Sequence, residues 1–165
     1  MKIAIAISLL ALAFPVPSLA QTCNDSMLAS SSDARYVDNG DGTVSDVTHG
    51  ITWQKCTVGQ TYDRESGLCE GAPSHFENWE DALSQVNGEF VLPNIKELAS
   101  IVERSCIEPA IKLDVFPGTP LGIYWTNTPS TDPTDPVARV VDFTDGAELV
   151  RDANRGRYVR LLKKR

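Results

Sequence analysis

The chain has only two histidines, His49 and His75, no cysteine pair at C-x-x-C spacing, no Gly-X-Y repeat and no apolar run long enough to span a bilayer. Each absence removes a class of function. Missing C-x-x-C pairs leave a structural zinc site without its usual ligand spacing. The lack of a Gly-X-Y repeat excludes a collagen-like stalk within these residues. Two isolated histidines offer little for general acid–base work, and the adjacent Ser74-His75 is not a triad by adjacency. Positive charge is also scarce: 15 Lys and Arg against 22 Asp and Glu give a net charge of −7, which opposes general nucleic-acid binding.

What is present begins with MKIAIAISLLALAFPVPSLA. Lys2 supplies a positive end, Ile3 to Phe14 a short apolar core and Ser18-Leu19-Ala20 a small-residue cleavage pattern, so residues 1–20 read as a secretory signal peptide. Thr22 before Cys23 does not provide the small residue that bacterial lipidation requires. The expectation is a periplasmic or secreted protein without stable membrane insertion, with residues 21–34 as a polar lead-in and 35–165 as one domain.

All four cysteines, Cys23, Cys56, Cys69 and Cys106, lie after the signal, and an even number in an exported domain is expected to form two disulfides. Three connectivities exist; the spacing favours Cys56–Cys69 as a staple around a short polar loop and Cys23–Cys106 as a long-range clamp.

The stretch VDNGDGTVSD, Val37 to Asp46, is acidic and glycine-rich. In either frame it fails the EF-hand template, because position 5 falls on Gly42 or Thr43 and no glutamate stands at position 12. Asn39-Gly40 and Asp41-Gly42 suit a hairpin turn between Tyr36-Val37 and Thr43–Val47, with an irregular calcium site as the remaining alternative and no other cofactor expected. Ile51-Thr52-Trp53 is a third strand. Residues 78–88 place Trp79, Ala82, Leu83 and Val86 at helical spacing behind an Asn78 cap, while Asn94 and Glu97 form a capping-box pattern ahead of Ile95, Leu98, Ile101 and Val102. Strands are expected again at 122–126, 137–143 and 157–162, around a proline-rich loop from Pro129 to Pro136. The segment after Asp145-Gly146 carries no clear period. The order of strands, two helices and strands predicts an α+β fold with antiparallel sheets, and Trp53, Trp79 and Trp125 as core.

The last fifteen residues reverse the overall charge: Arg151, Arg155, Arg157, Arg160, Lys163, Lys164 and Arg165 face only Asp152. Arginine pairs readily with sulfate and carboxylate, so this strip is the candidate ligand-binding surface, its main weakness being that strand alternation sends neighbouring side chains to opposite faces.

Taken in order, RYVDNGDGTVSDVTHGITWQKC, TYDRESGLCEG, NWEDAL, LPNIKELASIV, IYWTNT, VVDFTDG and RYVRLL resemble the bacterial Lcl C-terminal domain family, named for the end of a Legionella collagen-like surface protein. The resemblance runs from about Arg35 to Leu162. It implies a C-type lectin-like fold and, for the founding protein, adhesion through sulfated glycans by a trimer on a collagen-like stalk. Where the family usually carries Trp-Arg-Leu-Pro this chain has Phe90-Val91-Leu92-Pro93, so no role of that arginine transfers. The expected function is a non-enzymatic recognition domain for an anionic glycan or envelope polymer, serving surface adhesion. The alternatives are a module contacting another envelope protein and, less favoured, an enzyme on the lectin-like scaffold that also hosts a formylglycine-generating oxidase.

Overall fold

A computed structural model describes residues 21–85, 87–131 and 137–164; the signal-peptide reading, Val86, part of the proline-rich loop and Arg165 lie outside the described residues. Among the described residues, six short strands precede two one-turn helices and five follow them. The first sheet, in spatial order, joins β11 (Leu162–Lys164), β4 (Ile51–Gln54), β3 (Thr43–Asp46) and β2 (Tyr36–Asp38), all antiparallel. A second joins β10 (Ala147–Asp152), β9 (Val137–Asp142) and β8 (Ile123–Pro129), also antiparallel. Two-stranded pairs complete the set: β1 (Thr22–Cys23) with β7 (Cys106–Ile107), and β5 (Thr61–Tyr62) with β6 (Cys69–Glu70).

In the second sheet β8 and β9 are buried on both faces, and the two-residue period of these strands decides which core each side chain enters. Tyr124 and its partner Val141 point into one cluster with Trp53, Leu98, Ile111, Phe116 and Phe143. Their neighbours Trp125 and Val140 point into the other, with Ala82, Leu92, Val159 and Leu161. Trp53 and Trp125 are fully buried and Trp79 is partly so, its indole N–H donating to Thr126 O at 2.7 Å. The expected roles of the three tryptophans as core hold.

Both helices are shorter than their patterns suggest. α1 (Trp79–Leu83) starts on Asn78, whose side chain accepts from the Asp81 amide at 2.8 Å. It stops because Ser84 Oγ and Gln85 Nε2 both donate to Asp81 O, so local side chains compete for the helix acceptor. Leu83, expected on the buried stripe, is consequently 38% exposed. α2 (Ile95–Ala99) carries the full capping box, Asn94 with Glu97, as the sequence predicts. Ile101 and Val102 are buried beyond its end, in tighter turns where Ile101 and Val102 amides reach Leu98 O and Ala99 O.

The largest departure concerns residues 157–162. Only Leu162–Lys164 is regular strand; residues 157–161 thread a seam between other elements and bond to a different one at nearly every step. Arg157 pairs with Phe76, Tyr158 with Ile123 and Trp125, the Val159 carbonyl accepts from Val58 and the Leu161 carbonyl from Gln54. A segment walled on both sides has no solvent face, which is why its arginines are buried. β10, in the segment without a clear period, is an edge strand whose side chains are mostly exposed, so neither a core run nor strict alternation marks it.

Both disulfides form with the expected pairing: Cys56–Cys69 and Cys23–Cys106. They indicate an oxidising environment. Among the described residues no helix is long and apolar enough to cross a membrane. The lead-in is strapped to the body by more than Cys23. Gln21 Nε2 reaches Pro109 O and Ile111 O at 2.5 and 2.6 Å, and the Ser30 amide donates to Glu103 Oε1 at 2.8 Å.

Candidate functional site

The glycine-rich stretch closes the β2–β3 hairpin, with Gly40 and Gly42 at φ of 71° and 89°. Its carboxylates are engaged by the chain itself. Asp38 accepts from the Gly40 amide at 2.9 Å and from Lys55 Nζ at 2.8 Å; Asp41 accepts from the Thr43 amide at 3.0 Å. Among the described residues no group of three or more His, Cys, Asp or Glu could hold a metal ion.

Asp46, the last residue of that stretch, is fully buried and binds Arg35 Nη2 at 2.5 Å and His49 Nδ1 at 2.9 Å. Burial pushes its carboxyl up, but the Arg35 hydrogen bond and charge, then His49, outweigh this and hold it below the ordinary 3.8. A depressed carboxylate contributes stability above its unfolded value and loses it as pH falls through the lower folded value. Wild-type stability is therefore expected to fall as the pH drops below the ordinary carboxylate value of about 4. Asp46→Asn should be less stable at pH 7, with Arg35 left as a buried, unpaired cation, and should lose less on acidification. Urea midpoints at pH 7, 4 and 2 measure both; equal acid losses in the two proteins would rule out Asp46 as a source.

The six basic residues of the candidate strip that the structure describes, Arg151, Arg155, Arg157, Arg160, Lys163 and Lys164, do not share a surface. Arg160 is fully buried, a correction to its expected ligand role. Its guanidinium donates to Gln54 O at 3.1 Å, to Lys55 O, to Thr57 Oγ1 at 3.3 Å and to Thr119 Oγ1 at 2.7 Å, and lies 4.9 Å from the Phe116 ring centroid. Burial lowers its pKa, and no carboxylate pairs with it among the described residues. Arg157 is also withdrawn, 6% exposed, stacked 4.7 Å from the Trp125 ring centroid and donating to Asp152 O at 3.0 Å. Lys163 and Lys164 sit on β11 and meet Glu89 at 3.4 Å and Glu97 at 2.9 Å.

Of the strip's described residues, only Arg151 and Arg155 are exposed and without an ion pair. They stand near Arg157, whose pKa is lowered by burial first and then by the charge of Arg151, with Arg155 adding to it and Asp152 opposing. The strip thus contracts to one cationic end, at the close of β10 and the turn that follows.

His49 belongs to the Asp46 cluster, and His75 lies edge-on against Tyr158 with ring centroids 4.2 Å apart. The two therefore occupy separate settings. Glu80 and Asp81 lie in the first turn of α1, and Glu77 just precedes it.

The structure adds one feature that sequence reasoning missed. A groove of about 720 Å³ opens between the Cys56–Cys69 loop and the turn following α1, with the ends of β3 and β4 as its floor. Thr43 and Gln54, paired across those strands, line it together with Tyr62, Gln85, Asn87 and Phe90, and Asp41 is its one charged lining residue. Tyr62 is fixed in place: Lys55 Nζ reaches its hydroxyl at 3.2 Å, and Gly42 packs so closely that a Cβ there would lie 3.0 Å from Tyr62 Cβ. No motif could have revealed the groove, because its residues come from four separate parts of the chain.

Comparison with known families matches residues 42–163 to the Lcl C-terminal domain. That range takes in β3, β4 and the second sheet, the Cys56–Cys69 loop and all of the groove's lining but Asp41, and leaves the lead-in and β2 outside. No curated protein matches the chain. The chain belongs to the Lcl C-terminal domain family.

Proposed function

We propose that this is an exported recognition domain of lectin-like architecture that contacts an anionic glycan or envelope polymer and serves adhesion rather than catalysis. The observation that carries the reading is the cationic end formed by Arg151 and Arg155 in front of Arg157, where two exposed guanidiniums lack carboxylate partners among the described residues. On a body of net charge −7 such an end gives a polyanion one approach. Paired guanidinium donors suit sulfate and carboxylate oxygens. Two disulfides fix the scaffold on which that end is displayed.

The test is binding of heparin to the oxidised protein at low and high salt. Binding should weaken steeply with salt, because exposed charges are screened. The double variant Arg151→Ser, Arg155→Ser should bind at least tenfold more weakly, as charge-assisted hydrogen bonds contribute about 1.5–3 kcal/mol each. Its melting temperature should stay at the wild-type value, since neither side chain is buried. Absence of binding to heparin and to other acidic polymers would overturn the reading.

A further inference from the structure

We propose that the groove between the Cys56–Cys69 loop and the turn after α1 is a binding cleft for a neutral saccharide segment. This rests on the recognition reading above and adds an uncharged site to the cationic end.

Charge makes the first selection. No lysine or arginine lines the groove, and its single charged lining residue is Asp41, at the hairpin end. The nearest cations, Lys55 over the Tyr62 ring and Lys163 over the Phe90 ring, are already paired with Asp38 and Glu89, so a sulfated or carboxylated chain would find no free counter-charge there. Hydrogen-bonding capacity makes the second. Gln54 is half-buried on the floor and Asn87 is exposed on one wall, and neither side-chain amide has a partner among the described residues. An amide presents donor and acceptor side by side, which suits the adjacent hydroxyls of a sugar.

Shape and stiffness make the third. At about 720 Å³ the groove lies within the roughly 300–1,000 Å³ of small-molecule clefts. Tyr62 and Phe90, on opposite walls, supply flat apolar surface for the C–H faces of a pyranose. A peptide adding as a strand would need free main-chain groups, but the Val58 and Gln60 amides on the loop wall are already bonded to Val159 O and Thr57 O. A rigid floor with ready-made amides loses little on binding, whereas a mobile wall would have to be ordered first.

The experiment is a 15N NMR titration of the oxidised protein with neutral hexasaccharides of glucose, mannose and N-acetylglucosamine, alongside heparin, at two salt concentrations. At least one neutral sugar should shift the Gln54 and Asn87 side-chain amides equally at both salts. Gln54→Ala and Asn87→Ala should each weaken it about fivefold to tenfold, as for one or two neutral hydrogen bonds. Both variants should keep wild-type melting and heparin binding. Heparin binding at Arg151 and Arg155 with no neutral sugar in the groove would overturn the cleft and leave the recognition reading standing. Neutral sugars that shift only other residues, or heparin displacing them from the groove, would also overturn it. No binding to either class would overturn both.

Discussion

Arg160→Ala is expected to cost about 3–5 kcal/mol of stability, because several buried acceptors are each left unsatisfied at about 1–3 kcal/mol, offset in part by no longer burying a charge. For a domain of this size that corresponds to a fall in melting temperature of roughly 10–20 °C. Three consequences add together. The Gln54 and Lys55 carbonyls and the Thr57 and Thr119 hydroxyls lose a common donor; a void opens beside Phe116; and the seam of residues 157–161 loses its link to the chain leaving β4. Arg160→Met separates the contributions. Methionine fills most of the volume but donates nothing, so it should recover only the packing part, whereas Arg160→Lys keeps a charge without the fork that reaches four acceptors at once. Thermal melts of the three variants decide the matter. A fall of less than about 1 kcal/mol for Arg160→Ala would mean that water replaces the guanidinium and that the cluster is not what holds the seam.

The same arginine shows where sequence reading reached its limit. Local chemistry was legible: Gly40 and Gly42 as a hairpin turn, Asn94 with Glu97 as a capping box, and both disulfides from their spacing. These depend on residues close in the chain or on a short count of alternatives. Burial of Arg157 and Arg160 was not legible, because it arises from a segment that switches hydrogen-bonding partners between Phe76, Ile123, Val58 and Gln54, each far away in sequence. A run such as RGRYVRLLKK looks like a basic surface strand, and only the seam reveals that its arginines satisfy carbonyls inside. Nor was the Arg35–Asp46–His49 cluster visible, although all three residues are close in sequence, since nothing in their spacing says that β2 and β3 bury Asp46. The groove was hidden for a further reason: Gln54, Tyr62, Gln85 and Phe90 belong to no common motif, and amides scattered through a chain are ordinarily solvated surface.

The other large effect is expected from the clamp. Replacing Cys23 and Cys106 by serine opens a crosslink across a sequence separation of 83, against 13 for Cys56 and Cys69. In the chain-entropy account the long crosslink contributes about 4–5 kcal/mol and the short one about 3. The ordering, with the lead-in clamp above the loop staple, is the sharper expectation. The clamp also holds more than its own sulfurs: it fixes β1 against β7, and with them the Gln21 contacts to Pro109 and Ile111, the Ser30 contact to Glu103 and the Lys112–Asp33 pair. Glu103 depends on these neighbours. Burial pushes its carboxyl up, but the Ser30 and Ser105 donors hold it below the ordinary carboxylate value, so loosening the lead-in removes part of what keeps that buried charge solvated. Guanidinium denaturation of the two double-serine variants against the oxidised wild type gives the comparison. If the clamp variant loses less than the staple variant, the lead-in is an appendage on a domain that the residues from 42 to 163 already stabilise by themselves. If it loses more, the folded unit extends beyond the family-matched range to include the strap that precedes it.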